Sequence, residues 1–173
     1  MGGILRILGI DPGYATVGYG IVDTNGFKFS VVGYGAITTP ADLPFPERLG
    51  LIYEDMLTII EKYNPQELSL ERLYFNTNTT TAIDVAQARG VILFSAHSKG
   101  LKINEYTPLQ VKQSVTGYGK ADKRQVMEMV KTLLKLKSIP KPDDTADALA
   151  LAICHGYFAG SGISKILREE QTK

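Results

Sequence analysis

Near its start the chain carries the run Ile4-Leu5-Arg6-Ile7-Leu8-Gly9-Ile10, apolar except for one arginine, which ends at Asp11 and meets Pro12-Gly13 at once. So short an apolar run, stopped by an acid and a turn dipeptide, is a buried strand, and it commits the chain to a sheet that other elements must cover. Residues 4–11, 17–23 and 27–37 are expected as three strands, the last two joined at Thr24-Asn25-Gly26, where Asn-Gly signals a hairpin. Pro44 and Pro46, with apolar residues at Leu49, Ile52, Tyr53, Met56, Leu57 and Ile60, predict a helix from Phe45 to Tyr63. A strand at 67–71, a polar loop at 72–81, a helix from Thr81 to Ser98 and a strand from Lys102 to Tyr106 follow. A short helical turn at Pro108–Val115, a Gly-Tyr-Gly loop, a basic helix from Asp122 and a closing helix from Asp143 complete the pattern. Strands first, then alternating helix and strand, make a mixed α/β sheet flanked by helices on both faces. Residues 1–160 read as one domain, and 161–173 as a charged tail expected to be poorly ordered.

Four acids stand at the ends of these elements. Asp11 closes the first strand, Glu71 closes Leu68-Ser69-Leu70, and Asp144 and Asp147 stand three apart at the head of the apolar segment Ala148–Cys154, on one helical face. Each has a plainer reading. Asp11 before Pro-Gly can be a turn former, Glu71 an exposed terminal charge, and Asp144 an N-cap with Asp147 three residues on, a near-copy of a capping box. Jointly they are acids at the rim of a core, where unpaired carboxylates are costly unless a cation neutralises them. Hard oxygen donors suit Mg²⁺ or Mn²⁺, and a pair of such ions suits in-line phosphodiester chemistry. Buried Asp11 is then the natural bridging ligand, flanked by Glu71 and Asp147, with Asp144 nearest solvent.

Charge distribution points to a polyanionic partner. Of 173 residues, 1–90 hold six basic side chains against ten acidic ones, and 91–173 hold thirteen against eight. Ten Lys/Arg and three acids lie between Lys99 and Lys141. Such a stretch fits phosphate contacts, and part of it is also the solvated face of the helix that turns Val126, Met127, Val130, Leu133 and Leu134 inward. One cysteine, Cys154, excludes an internal disulfide and favours a reducing compartment. With neither a signal-like start nor a membrane-length apolar run, a cytoplasmic protein is expected. His97, His155 and Cys154 are expected to be structural.

The segments Gly9-Ile10-Asp11-Pro12-Gly13 with Gly18-Tyr19-Gly20, Glu71-Arg72-Leu73-Tyr74 with Asn78, Gln87-Ala88-Arg89-Gly90, and Asp144-Thr145-Ala146-Asp147-Ala148-Leu149-Ala150 resemble the RuvC family of Holliday-junction endonucleases. The resemblance runs to about Gly156. It implies a ribonuclease H-like fold with a five-stranded sheet, and a homodimer that nicks two opposed strands of four-way junction DNA in recombination and repair. It also implies 5′-phosphate and 3′-hydroxyl products and two Mg²⁺ ions per site, with Mn²⁺ able to substitute. Asp11, Glu71, Asp144 and Asp147 fall on the family's catalytic acids, and Lys112 and Lys123 on basic positions that contact phosphates. Lys120 and Arg124 are further candidates for DNA contact. Tyr74 falls on an aromatic position that stacks at the crossover, where the family more often has Phe, and the adjacent Phe75 competes for that role. Val17 stands where the family usually has Thr. The helix around Gln87–Gly90 pairs across the family's dimer axis, although packing within the monomer explains its small residues equally well. A branch-migration motor, RuvAB, is the implied working partner.

Two other readings remain open on the residues alone. A strand followed by Asp-Pro-Gly and a hairpin also resembles the first phosphate loop of actin-like ATPases, although one such lobe would use most of the chain. A nuclease of the same superfamily acting on another structured nucleic acid, such as RNA, would carry the same acids.

Overall fold

β1 (Leu5–Asp11) takes the middle of the sheet, as its apolar composition demands, because both of its faces are covered. The computed structural model describes residues 3–74 and 79–161. β2 (Thr16–Thr24) and β3 (Phe29–Thr38) continue from β1 as an antiparallel meander. After α1 (Phe45–Tyr63) the chain returns as β4 (Glu67–Glu71), parallel to β1; α2 (Thr79–Ser98) then leads to β5 (Lys102–Tyr106), parallel to β4. α3 (Pro108–Thr116), α4 (Lys123–Leu133) and α5 (Asp143–Gly160) complete the described chain. The strand order is β3-β2-β1-β4-β5, the mixed ribonuclease H-like sheet that the motifs imply. Residues beyond Ser161, nearly all of the charged tail, lie outside the described residues.

Alternation along β1 sorts the core into two layers. Leu8 and Ile10 face α1 and α2, where they join Ile52, Met56, Leu68, Leu70 and Ile92. Ile7 faces the other way, into a layer built on α3, α4 and α5 that includes Val111, Val130, Leu149 and Ile153. α5 is buried on nearly every side from Thr145 to Gly156, which explains why its sequence is apolar all round instead of striped. The thiol of Cys154 lies inside this layer, and burial pushes its pKa up to about 12.

The expected Asn-Gly hairpin forms with a longer loop. Thr24 pairs with Phe29, and the four residues between are held by side chains: Asn25 Oδ1 accepts from the amides of Phe27 at 3.2 Å and Lys28 at 3.0 Å, with Gly26 at φ 93°. β3 therefore begins at Phe29, two residues later than the hydrophobic pattern alone predicts. Among the described residues, no helix is long and apolar enough to cross a membrane.

α5 lies unusually close to β1 and β2. A β-carbon on Gly9 would overlap the carbonyl oxygen of Ala148, and one on Gly18 would overlap that of Asp144. The approach is pinned by Ser69, whose hydroxyl donates to the Leu151 carbonyl at 2.7 Å, and by Thr145, which donates to the Gly35 carbonyl at 3.1 Å. At the far end His155 bonds Tyr106 Oη through Nδ1 at 2.6 Å and Glu67 through Nε2 at 2.8 Å. Gly9→Ala or Gly18→Ala is expected to cost about 3 kcal/mol or more, because backbone cannot yield as a side-chain tip can. Gly3→Ala, with open space around it, should fall within about 0.5 kcal/mol of the parent. Urea unfolding midpoints at constant slope measure both.

Candidate functional site

Register brings the first two acids together. Ile10 pairs with Leu70 across the parallel β1–β4 junction, so the next residue on each strand is an acid, Asp11 beside Glu71. Both strands end there, and both residues share the parity of Gly9 and Ser69, the positions that face α5. The contact of Gly18 with Asp144 sets the first turn of α5 over this same end of the sheet.

The helix does not spend its acids on capping. α5 begins at Asp143, its N-cap is Pro142, and no side-chain bond closes the cap. Asp144 and Asp147 thus lie inside the helix, and the capping-box alternative for the pair falls away. Asp143 turns to the lysines instead, 2.8 Å from Lys141 and 3.8 Å from Lys123.

Electrostatics reports how tightly the four acids crowd. Burial, then the charges of Asp147, Asp144 and Glu71 together with a hydrogen bond to Asp144, push the Asp11 carboxyl up to about 8. Glu71 is raised by burial and by Asp147, against the opposing pull of Lys112. Asp147 is raised by burial although Lys123, with Nζ 3.2 Å from its carboxylate, draws it down. Among the described residues, no three acidic side chains are arranged around one point as ligands of a single ion. Their mutual repulsion favours the protonated form of Asp11 and is offset in part by the Lys123 ammonium. An all-carboxylate cluster at strand and helix ends, carrying more negative charge than it can comfortably hold, has the donor chemistry of a hard divalent cation site.

Lys112 and Lys123 line a cleft of about 240 Å³ together with Glu71 and Asp147, walled by Pro108, Val111, Val126, Ala150 and Leu151. Both lysines named from sequence therefore stand at the acids. Capping boxes position their helices: Thr107 with Gln110 starts α3, and Asp122 with Gln125 starts α4. The other basic candidates are placed apart. Lys120 is exposed in the loop before α4, and Arg124 opens onto a separate groove with Tyr118, Gln125 and Glu128. Tyr74 is 57% exposed three residues beyond Glu71, whereas Phe75 lies outside the described residues.

One group at this end of the sheet is missing from the sequence reading. Arg89 of α2 reaches over the ends of β4 and β5, where its Nη2 donates to Glu105 at 2.8 Å and to the main-chain carbonyl of Glu71 at 3.4 Å. Glu105 also meets Arg72, at 3.9 Å. The Gln87-Ala88-Arg89-Gly90 motif carried the signal, but the small residues around Arg89 drew attention to helix packing. His155, expected to be structural, is so: it is buried in its network with Tyr106 and Glu67 at the other end of α5.

Comparison with known proteins bears on this arrangement. The family model described as crossover junction endodeoxyribonuclease RuvC matches residues 7–155. A RuvC of Halothermothrix orenii is 58% identical over 150 residues, which cover 87% of this chain and 91% of the relative. One from Brevibacillus brevis is 56% identical over 154 residues, covering 89% and 93%. Among solved structures, Thermus thermophilus RuvC in complex with a Holliday junction substrate superimposes with a TM-score of 0.87 at 34% identity, covering 91% of this chain and 96% of that one. With the match spanning both strand-end acids and the head of α5, the chain belongs to the RuvC family of crossover junction endodeoxyribonucleases.

Proposed function

We propose that this protein resolves four-way DNA junctions by paired, symmetrical nicks, with Asp11, Glu71, Asp144 and Asp147 as its catalytic metal ligands. The observation that carries the reading is the gathering of these acids at one end of the sheet, from two strand ends and one helix head, beside two lysines in a chain of the RuvC family. Two Mg²⁺ ions held there, with Mn²⁺ able to substitute, would activate a water and offset charge on the departing 3′-oxygen, leaving 5′-phosphate and 3′-hydroxyl ends.

The chain's own residues do the rest. Asp11, between Glu71 and the α5 acids, would hold the metal together with them, and its carboxyl would ionise once a cation offset its neighbours' charge. Lys123 leaves Asp147 for a phosphate of the incoming strand, so that one ammonium serves the free and the bound state in turn. Lys112, on the same cleft, holds a second phosphate, and the surrounding apolar wall limits water. Lys120 and Arg124 extend the basic surface along the arms, as general backbone contacts. Tyr74 is exposed enough to stack on a base at the crossover, a contact worth about 1–3 kcal/mol, with Phe75 as its neighbour in the role.

A homodimer fits two equivalent strands to be cut. The outer surface of α1 and α2 supports it, because Leu49, Tyr53, Gly90 and Val91 form a shallow groove beside Phe94, which is 63% exposed. The RuvAB motor belongs to the same reading as the machine that delivers the junction.

Asp147→Asn is expected to lower cutting by about 100-fold or more while leaving junction binding intact; strand-resolved cleavage beside a gel-shift titration measures both, and wild-type cutting by the mutant would sink the assignment. Lys112→Ala with Lys123→Ala should weaken junction binding chiefly at low salt and flatten the salt dependence by about two ion equivalents. An unchanged slope would remove these lysines from the interface.

The raised Asp11 carboxyl sets the pH behaviour of the metal-free protein. An aspartate that titrates near 4 in the unfolded chain and at about 8 in the fold holds a proton that unfolding releases. Its stabilising contribution is complete below about 4 and is lost as pH rises to about 8. Melting temperatures in chelator should accordingly decline from about pH 5 to about pH 8. Asp11→Asn should flatten the decline and Mg²⁺ should reverse it.

A further inference from the structure

Arg89 sits on the face of the sheet opposite the candidate site. Glu105 lies on β5 opposite Leu70, and Leu70 packs in the α1–α2 layer, so the guanidinium reaches the main chain of Glu71 from the α2 side while the Glu71 carboxylate extends toward α5. The side chain is only 12% exposed, against 58% for Arg72, which shares Glu105 with it. Its Nε is buried without a hydrogen-bond partner among the described residues. Burying a guanidinium and leaving one of its donors unsatisfied is unfavourable, and a plain surface pair would not require it. What the burial achieves is a rigid link: one Nη2 ties α2 to the end of β4 through the Glu71 carbonyl and to β5 through Glu105.

From this juxtaposition we infer that Arg89 is a positioning residue for Glu71, fixing the last peptide of β4 so that the carboxylate meets its metal at the right height, and that Glu105 holds Arg89 in place for that task. The inference rests on the reading of Glu71 as a metal ligand. Glu71 ends β4, and beyond it the ladder continues through the Arg72 amide, which donates to the Tyr106 carbonyl at 2.8 Å. Asp11 likewise ends an interior strand, where it pairs with Gly18 of β2, whereas Asp144 and Asp147 are carried by a buried helix. Arg89 adds, from the face behind Glu71, a restraint on the end of β4 beyond that of the β-ladder.

The test measures metal binding without catalysis. Mn²⁺ isotherms by calorimetry on the DNA-free protein should show Arg89→Ala binding about 10- to 100-fold more weakly. Its sedimentation should be unchanged, and its junction affinity without divalent ions should stay within about twofold of the parent. Arg89→Lys should recover most of the Mn²⁺ affinity. Glu105→Gln should shift it in the same direction as Arg89→Ala, and the double variant should be no worse than Arg89→Ala alone, as expected for groups that act in series. If Arg89→Ala does not fold, Arg89→Lys and Glu105→Gln carry the comparison. Unchanged Mn²⁺ affinity overturns the inference, and so does a loss of affinity that disappears when protein concentration restores a dissociated dimer. Failure of the parent protein to cut a four-way junction would overturn the proposed function, yet a weakened isotherm in Arg89→Ala would still support the positioning role.

Discussion

The contact between α5 and the sheet governs the acidic end of this molecule. Two strands approach the helix through glycines, and Ser69 and Thr145 fasten it there by bonds from side chain to main chain. Without Gly9 and Gly18 the helix would stand off by the width of a side chain. Asp144 and Asp147 would then face Asp11 and Glu71 across a gap. The His155 network with Tyr106 and Glu67 completes the constraint, since it holds the far end of the same helix and fixes how far α5 can slide along its axis. Packing thus precedes chemistry here.

That packing holds like charges together against their repulsion. Burial, and then the neighbouring acids, raise the carboxyls of Asp11, Glu71 and Asp147 in the folded protein, while Lys123 pairs directly with Asp147. A fold that tolerates such a cluster gives up some stability to keep it. Lys123 is the cluster's own counterion, placed by a capping box on a neighbouring helix and half exposed.

Much of this was legible in the residues. Each strand-end acid announced itself because an apolar run stopped at a charge, and the α5 pair because of a three-residue spacing before an apolar segment. Sequence could not decide whether Asp144 capped its helix, since a capping box and a ligand pair share one spacing; the decision came from Pro142 taking the cap position. Gly9 and Gly18 were recognised as part of a motif, but a glycine reads equally as a turn, a bulge or a close approach until its neighbour is known. Arg89 was visible as part of a motif but its pairing was not, because Glu105 lies 16 residues away on a different element and the other partner is a carbonyl, which every residue has. The hairpin loop grew from three residues to four for a similar reason, since the Asn25 side chain can stand in for backbone in more than one loop length.

The pairing of Ile10 with Leu70 has one more consequence. Asp11 and Glu71 hang from adjacent strands of one continuous sheet, so the distance between their α-carbons is inherited from the spacing of a β-ladder, about 4.8 Å. The lattice of main-chain hydrogen bonds serves as the ruler of the site, and no side-chain substitution can reset it. Only the reach of the two carboxylates is adjustable, and a shorter acid in place of Glu71 would leave its oxygens one methylene back from the cleft with no compensating shift in the strand. The dimension of the site therefore belongs to the fold, and its fine adjustment to a single carbon.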